Sequence, residues 1–260
     1  MTGTGPAPAS RSAARGPRIA IMQPYLYPYA GYFRLLAEAD VFVVYDCVQF
    51  PQRGRVHRCE VPGPAGAIEW LTLPLARRKR ETRICDLAFA PGARDEFDRR
   101  LARLPWLTAG RGEAASAVRS HLHAPLESVV GYLEDGLRLV AGMLELHCSI
   151  VRSSGLAIDA ARRGQDRIIA ICRELGASEY INAPGGSALY DAGAFAAAGL
   201  TLEFLPDYRG RYRYLLPALL AESLEALQQD VHSPGAATES GPTSVLREPA
   251  ARAADPSMEA

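Results

Sequence analysis

Apolar residues in this chain fall into short unbroken runs separated by longer stretches with helical spacing, and that alternation predicts an α/β sheet protein. The run Arg18-Ile19-Ala20-Ile21-Met22 reads as a strand covered on both faces. Gln23 to Gly31 follows as a loop that Pro24 and Pro28 stiffen and keep out of any regular ladder. A helix through Tyr32 to Glu38 leads to a second buried strand, Val41 to Tyr45, so residues 18–45 predict a strand–loop–helix–strand unit with a parallel pair. The stretch from Gln49 to Leu75 reads as irregular until Glu69 to Leu73, which alternates like a strand. Helical periodicity marks residues 94–103, 111–121, 125–149 and 164–175, where Leu133, Leu137 and Val140, then Ile168, Ile171 and Cys172, recur on one face. A strand at Glu179 to Asn182, a Gly-Gly turn at 183–186 and a short helix at 191–198 come next. A strand at 201–205 and a helix over 215–229 complete the pattern.

Composition narrows the picture. Residues 1–17 and 232–260 are poor in large apolar side chains and rich in Ala, Gly, Pro and Ser, which predicts two disordered tails around a working body of 18–231. Acidic and basic residues balance at 29 each, so no overall field recruits nucleic acid or an anionic membrane. No apolar run reaches the roughly 20 residues that span a bilayer. The five cysteines are odd in number and irregular in spacing, with no zinc-like pairing, which fits unpaired thiols in a reducing cytoplasm. No cofactor or metal is implied.

The string Ile21-Met22-Gln23-Pro24-Tyr25-Leu26-Tyr27-Pro28-Tyr29-Ala30-Gly31-Tyr32-Phe33 resembles the N-terminal signature of the WbqC-like family. Tyr45-Asp46-Cys47-Val48-Gln49-Phe50, Trp70 to Pro74, Tyr180 to Asp191 and Glu203 to Leu205 continue the resemblance in order across residues 19–220. It implies an intracellular biosynthetic role in surface-glycan or specialised-metabolite pathways, on a small polar molecule. Three departures stand out. Asp46-Cys47-Val48-Gln49 replaces the family's usual Asp-Asp-Val-Gln, His57-Arg58-Cys59 replaces Asn-Arg-Asn, and the last helix fits poorly.

The N-terminal unit also resembles nucleotidylyltransferase-like folds with added helices. There, paired histidines at the helix start hold a triphosphate; here Tyr29 and Tyr32 stand at those positions and carry no positive charge near neutral pH. Gln23, Tyr25, Tyr29 and Tyr32 lie at the carboxyl edge of a parallel strand, where open α/β sheets bind ligands. Asp46 and Gln49 follow the second strand, and Asp46 is a candidate general base or a turn cap. His57 is a second candidate base, expected to titrate near neutrality. Arg53 and Arg58 are candidate clamps for a phosphate or carboxylate, and Asn182 with the Gly185-Gly186 turn is a candidate anion nest. Cys47 and Cys59 are conceivable nucleophiles. The basic run Arg77-Arg78-Lys79-Arg80 suits a solvated loop or a docking site for an acidic acyl-carrier protein rather than nucleic acid. The expected activity is a transferase, with acyl or aminoacyl transfer first. A non-catalytic metabolite-binding scaffold is the rival.

Overall fold

The computed structural model describes residues 16–63 and 67–233, so the expected tails lie outside the described residues except at Gly16, Pro17, His232 and Ser233. The described strands are β1 (Arg18–Met22), β2 (Val41–Val44), β3 (Arg58–Pro62), β4 (Ile68–Thr72), β5 (Ser149–Arg152), β6 (Glu179–Asn182) and β7 (Thr201–Phe204). The helices are α1 (Ala30–Glu38), α2 (Ala93–Leu101), α3 (Glu113–Leu122), α4 (Val129–Met143), α5 (Gly164–Glu174), α6 (Ala192–Ala197), α7 (Leu215–Ala221) and α8 (Leu224–His232).

Five strands form one parallel sheet in the order β5-β2-β1-β6-β7, while β3 and β4 make a separate antiparallel ribbon. The fold is α/β with a mainly parallel sheet, as the alternating pattern predicts. Side-chain alternation gives the sheet two buried faces. Ala20, Phe42 and Ile181 pack beneath α1 and α4, against residues such as Phe33, Leu36, Leu133 and Leu137. Ile19, Ile21, Val43 and Tyr180 face the other way, against Ile168, Ile171 and Cys172 of α5 and Phe195 of α6. Each fully buried isoleucine or phenylalanine there contributes about 1.5–3 kcal/mol. At the opposite end of the strands Arg18 is buried and meets Glu38 at 2.8 Å, Glu179 at 3.0 Å and Glu203, which ties β1 to its neighbours.

Several boundaries differ from the sequence pattern for local reasons. The helix expected over 125–149 stops at Met143, because Glu145 adopts φ 55° and turns the chain into β5. Neither glycine nor proline marks that turn. The helix expected over 215–229 is two helices, since the Ser223 hydroxyl accepts from the Ala226 amide and caps α8. Residues 184–189 form a 3-10 turn rather than a tight Gly-Gly turn.

Candidate functional site

Parallel pairing aligns the strand ends. Ile21 lies opposite Val43, Ala20 opposite Ile181, and Gln23, Asp46 and Asn182 therefore all stand at the carboxyl edge. From β1 the chain leaves to α1 on one face, and from β6 it leaves to α6 on the other. In open α/β sheets the crevice that binds a ligand ordinarily lies at such a topological switch point, between the two strand ends. Gln23 and Asn182 flank it.

Asn182 is buried, and its Oδ1 accepts from the Ala183 amide at 2.8 Å. Its amide lies against Gly186, where a methyl group would meet Asn182 Nδ2 and the Tyr190 ring, so the missing side chain makes room for it. The Gly186 amide donates to Ala183 O at 3.0 Å. That bond takes it out of the expected anion nest. Gly185 has open space around it.

Asp46 is buried and fully engaged. Its carboxylate accepts from Ser153 Oγ at 2.9 Å, Ser154 N at 2.8 Å and Ser154 Oγ at 2.6 Å, which pins the turn after β5 to the end of β2. These three donors occupy the groups a base would need free. One residue on, Cys47 lies beside Arg167 of α5, whose guanidinium donates to Cys47 O at 3.4 Å and to Ala160 O at 3.0 Å. Arg167 is a residue that sequence reasoning missed, because it sits among the core isoleucines of a helix with nothing to single it out.

The tyrosine loop is built mostly by its own packing. Tyr32 donates to Gln23 O at 2.8 Å, and Tyr25 packs on Tyr32 with ring centroids 5.5 Å apart. Tyr29 meets Tyr208 edge-on at 5.6 Å. Tyr27 adopts φ 40° and its hydroxyl lies 2.8 Å from His121 Nδ1. His121 Nε2 lies 3.0 Å from Tyr132 O, which can only accept, so Nε2 carries the proton and Nδ1 accepts from Tyr27. The loop also joins the segment leading into the ribbon, with Leu26 N donating to Val56 O at 3.1 Å.

His57 and Arg58 belong to a second cluster beside the ribbon, which Gln49 adjoins through its neighbour Phe50. The His57 ring and the Arg78 guanidinium both pack on Phe50, at 5.1 and 4.4 Å. Burial, then Arg78, Arg58 and Arg100, lower His57 to about 4, which corrects the expected titration near neutrality. Its Nδ1 is buried without a hydrogen-bond partner. Arg58 lies 4.2 Å over Trp70 and donates to Gly54 O at 3.0 Å and Arg53 O at 2.5 Å, so it braces the loop. Arg53 is exposed and contributes its carbonyl to that brace. Gln49 Nε2 donates to Arg80 O at 2.9 Å and anchors the basic run. Cys59 is buried and its thiol is pushed up to about 12, which removes it as a nucleophile near neutral pH. Among the described residues no group of three or more His, Cys, Asp or Glu side chains could hold a metal, and no helix is long and apolar enough to cross a membrane.

No solved structure matches this chain, so the likeness to nucleotidylyltransferase folds gains no support there. A curated relative, "Uncharacterized protein Rv1507c" of Mycobacterium tuberculosis (strain ATCC 25618 / H37Rv), is 25% identical over 211 residues, covering 76% of this chain and 85% of that protein. The family model described as "WbqC-like protein family" matches residues 23–216, a span that takes in the strand ends at the switch point, the ribbon and the tyrosine loop. The chain belongs to the WbqC-like protein family.

Proposed function

We propose that this protein is a biosynthetic transferase that holds a small polar or sugar-like metabolite in the crevice between β1 and β6, in a surface-glycan or specialised-metabolite pathway. The observation that carries the reading is the switch point, with Gln23 and the buried Asn182 amide on its two sides. Acyl or aminoacyl transfer is the leading chemistry. The His57 imidazole is neutral at physiological pH with an unpartnered Nδ1, but a value lowered to about 4 makes it a weak base, and it belongs to the Phe50 and Arg78 cluster rather than to the switch point. Asp46 serves in this reading as a brace. Nucleotidyl transfer is less well supported, because the Tyr32 hydroxyl standing in for a phosphate-binding histidine is already bonded to Gln23 O.

A thermal-shift screen of amino sugars, sugar nucleotides and acyl or aminoacyl donors tests the reading. A stabilising compound should bind at least tenfold more weakly to Gln23→Ala and Asn182→Ala; binding untouched by both would sink it. Turnover of that compound with a donor separates the transferase from the scaffold. The exposed Arg77, Lys79 and Arg80 suit an acidic acyl-carrier protein as donor. Reversing their charge should slow a carrier-dependent reaction and leave one with a free thioester unchanged.

A further inference from the structure

We infer that Arg167 and the first turn of α5 form an anion subsite of this crevice, which takes the carboxylate or phosphate of the small-molecule ligand. The inference rests on the reading of the crevice as the ligand site, and adds that the ligand is anionic.

Arg167 is only 8% exposed, and buried guanidinium groups ordinarily face a carboxylate. Arg167 has no ion pair among the described residues. Two neutral carbonyls, Cys47 O and Ala160 O, and the Cys47 sulfur at 3.9 Å take its terminal nitrogens, and its Nε is buried with no partner. The acids nearby in sequence are engaged elsewhere or exposed. Asp46 serves Ser153 and Ser154, Asp159 accepts from Ala161 N at 2.9 Å, and Asp166 is exposed. The positive charge is left without a counter-charge.

Its location gives that charge a use. Arg167 reaches the exit of β2 through Cys47, while Gln165 on the same helical turn accepts from the Asp191 amide at 2.9 Å, beyond the exit of β6. The first turn of α5 thus bridges the two strands that flank β1, above the end of β1 where Gln23 stands. No side chain caps that turn at Arg163; the Asp166 and Arg167 amides donate to Arg163 O at 3.1 and 3.3 Å, which leaves the Gly164 and Gln165 amides and the positive end of the helix to an anion. A planar guanidinium suits the paired oxygens of a carboxylate or phosphate.

Melting of the full chain at constant ionic strength in chloride, phosphate, pyrophosphate and malonate tests this. At least one oxyanion should raise the melting temperature saturably over chloride. Phosphate and pyrophosphate against malonate tell a phosphoryl ligand from a carboxylate. Arg167→Met should weaken that response at least tenfold, while melting in chloride at or above wild type because an uncompensated charge is gone. Arg167→Lys, which keeps the charge and loses the fork, should retain part of the response and serves if the methionine variant does not fold. An unchanged response in the Arg167 variants, or no saturable response in the wild type, overturns the subsite. If Asn182→Ala abolishes the response and the Arg167 variants keep it, the crevice stands and the subsite falls. The reverse pattern keeps the subsite and removes Asn182 from the ligand.

Discussion

At His57 the surroundings change what the side chain can do. Its folded value of about 4 lies below the ordinary unfolded value near 6.5. Between those values the unfolded chain binds more protons than the folded one. Stability is therefore fully present above about 6.5, falls as the pH drops through that window, and has lost roughly 3 kcal/mol by its lower end. His57→Asn should flatten the pH dependence of urea unfolding between pH 7 and 4. An undiminished slope would show that another group governs it. The sequence marked His57 as unusual but could not show its burial, nor bring Arg78 and Arg100 beside it. Asp46 was legible as either a base or a turn residue, and only its contacts with Ser153 and Ser154 separate the two. Asp46→Ala leaves those donors without an acceptor and should cost on the order of 3 kcal/mol by chemical denaturation.

At the scale of elements, strands and helices with clear periodicity were legible: β1, β2, β6, α1 and α5 fall within a residue or two of their expected positions. What escaped the pattern depends on contacts distant in sequence. β5 is four residues long and gains its identity by pairing with β2, and β3 by pairing with β4. The 3-10 turn after β6 gives a paired prediction. Gly186→Ala places a methyl group against Asn182 and Tyr190 and should destabilise by about 1–3 kcal/mol, whereas Gly185→Ala meets nothing and should be neutral within about 0.5 kcal/mol. Equal melting temperatures for the two variants would mean that Asn182 yields its place freely.

Across the whole molecule, the sequence made the fold class readable because β1 and β2 are short apolar runs joined through a helix and helical periodicity recurs between the later strands. The strand order was not readable, since it depends on which face each helix covers, and with it the switch point stayed hidden. The body extends slightly beyond residues 18–231. Ser178 Oγ donates to Gly16 O at 2.6 Å and Ser178 N to Pro17 O at 3.2 Å, and α8 runs to His232. A fragment of residues 16–233 should melt within a few degrees of the full chain, and one begun at residue 18 should melt lower; a drop of ten degrees for the longer fragment would assign packing to the ends.

The loop after β1 carries a final consequence. It is tied at Leu26 to Val56 just before the ribbon, at Tyr27 to His121 of α3, and at Ala30 to Tyr212 before α7. Three separate anchors leave little freedom for arriving solute to quench, so one wall of the crevice is preorganised. Recognition on that side should be close to lock-and-key. Its heat-capacity change should then scale with the apolar area that the ligand itself buries, without the larger signature of a segment that folds on contact.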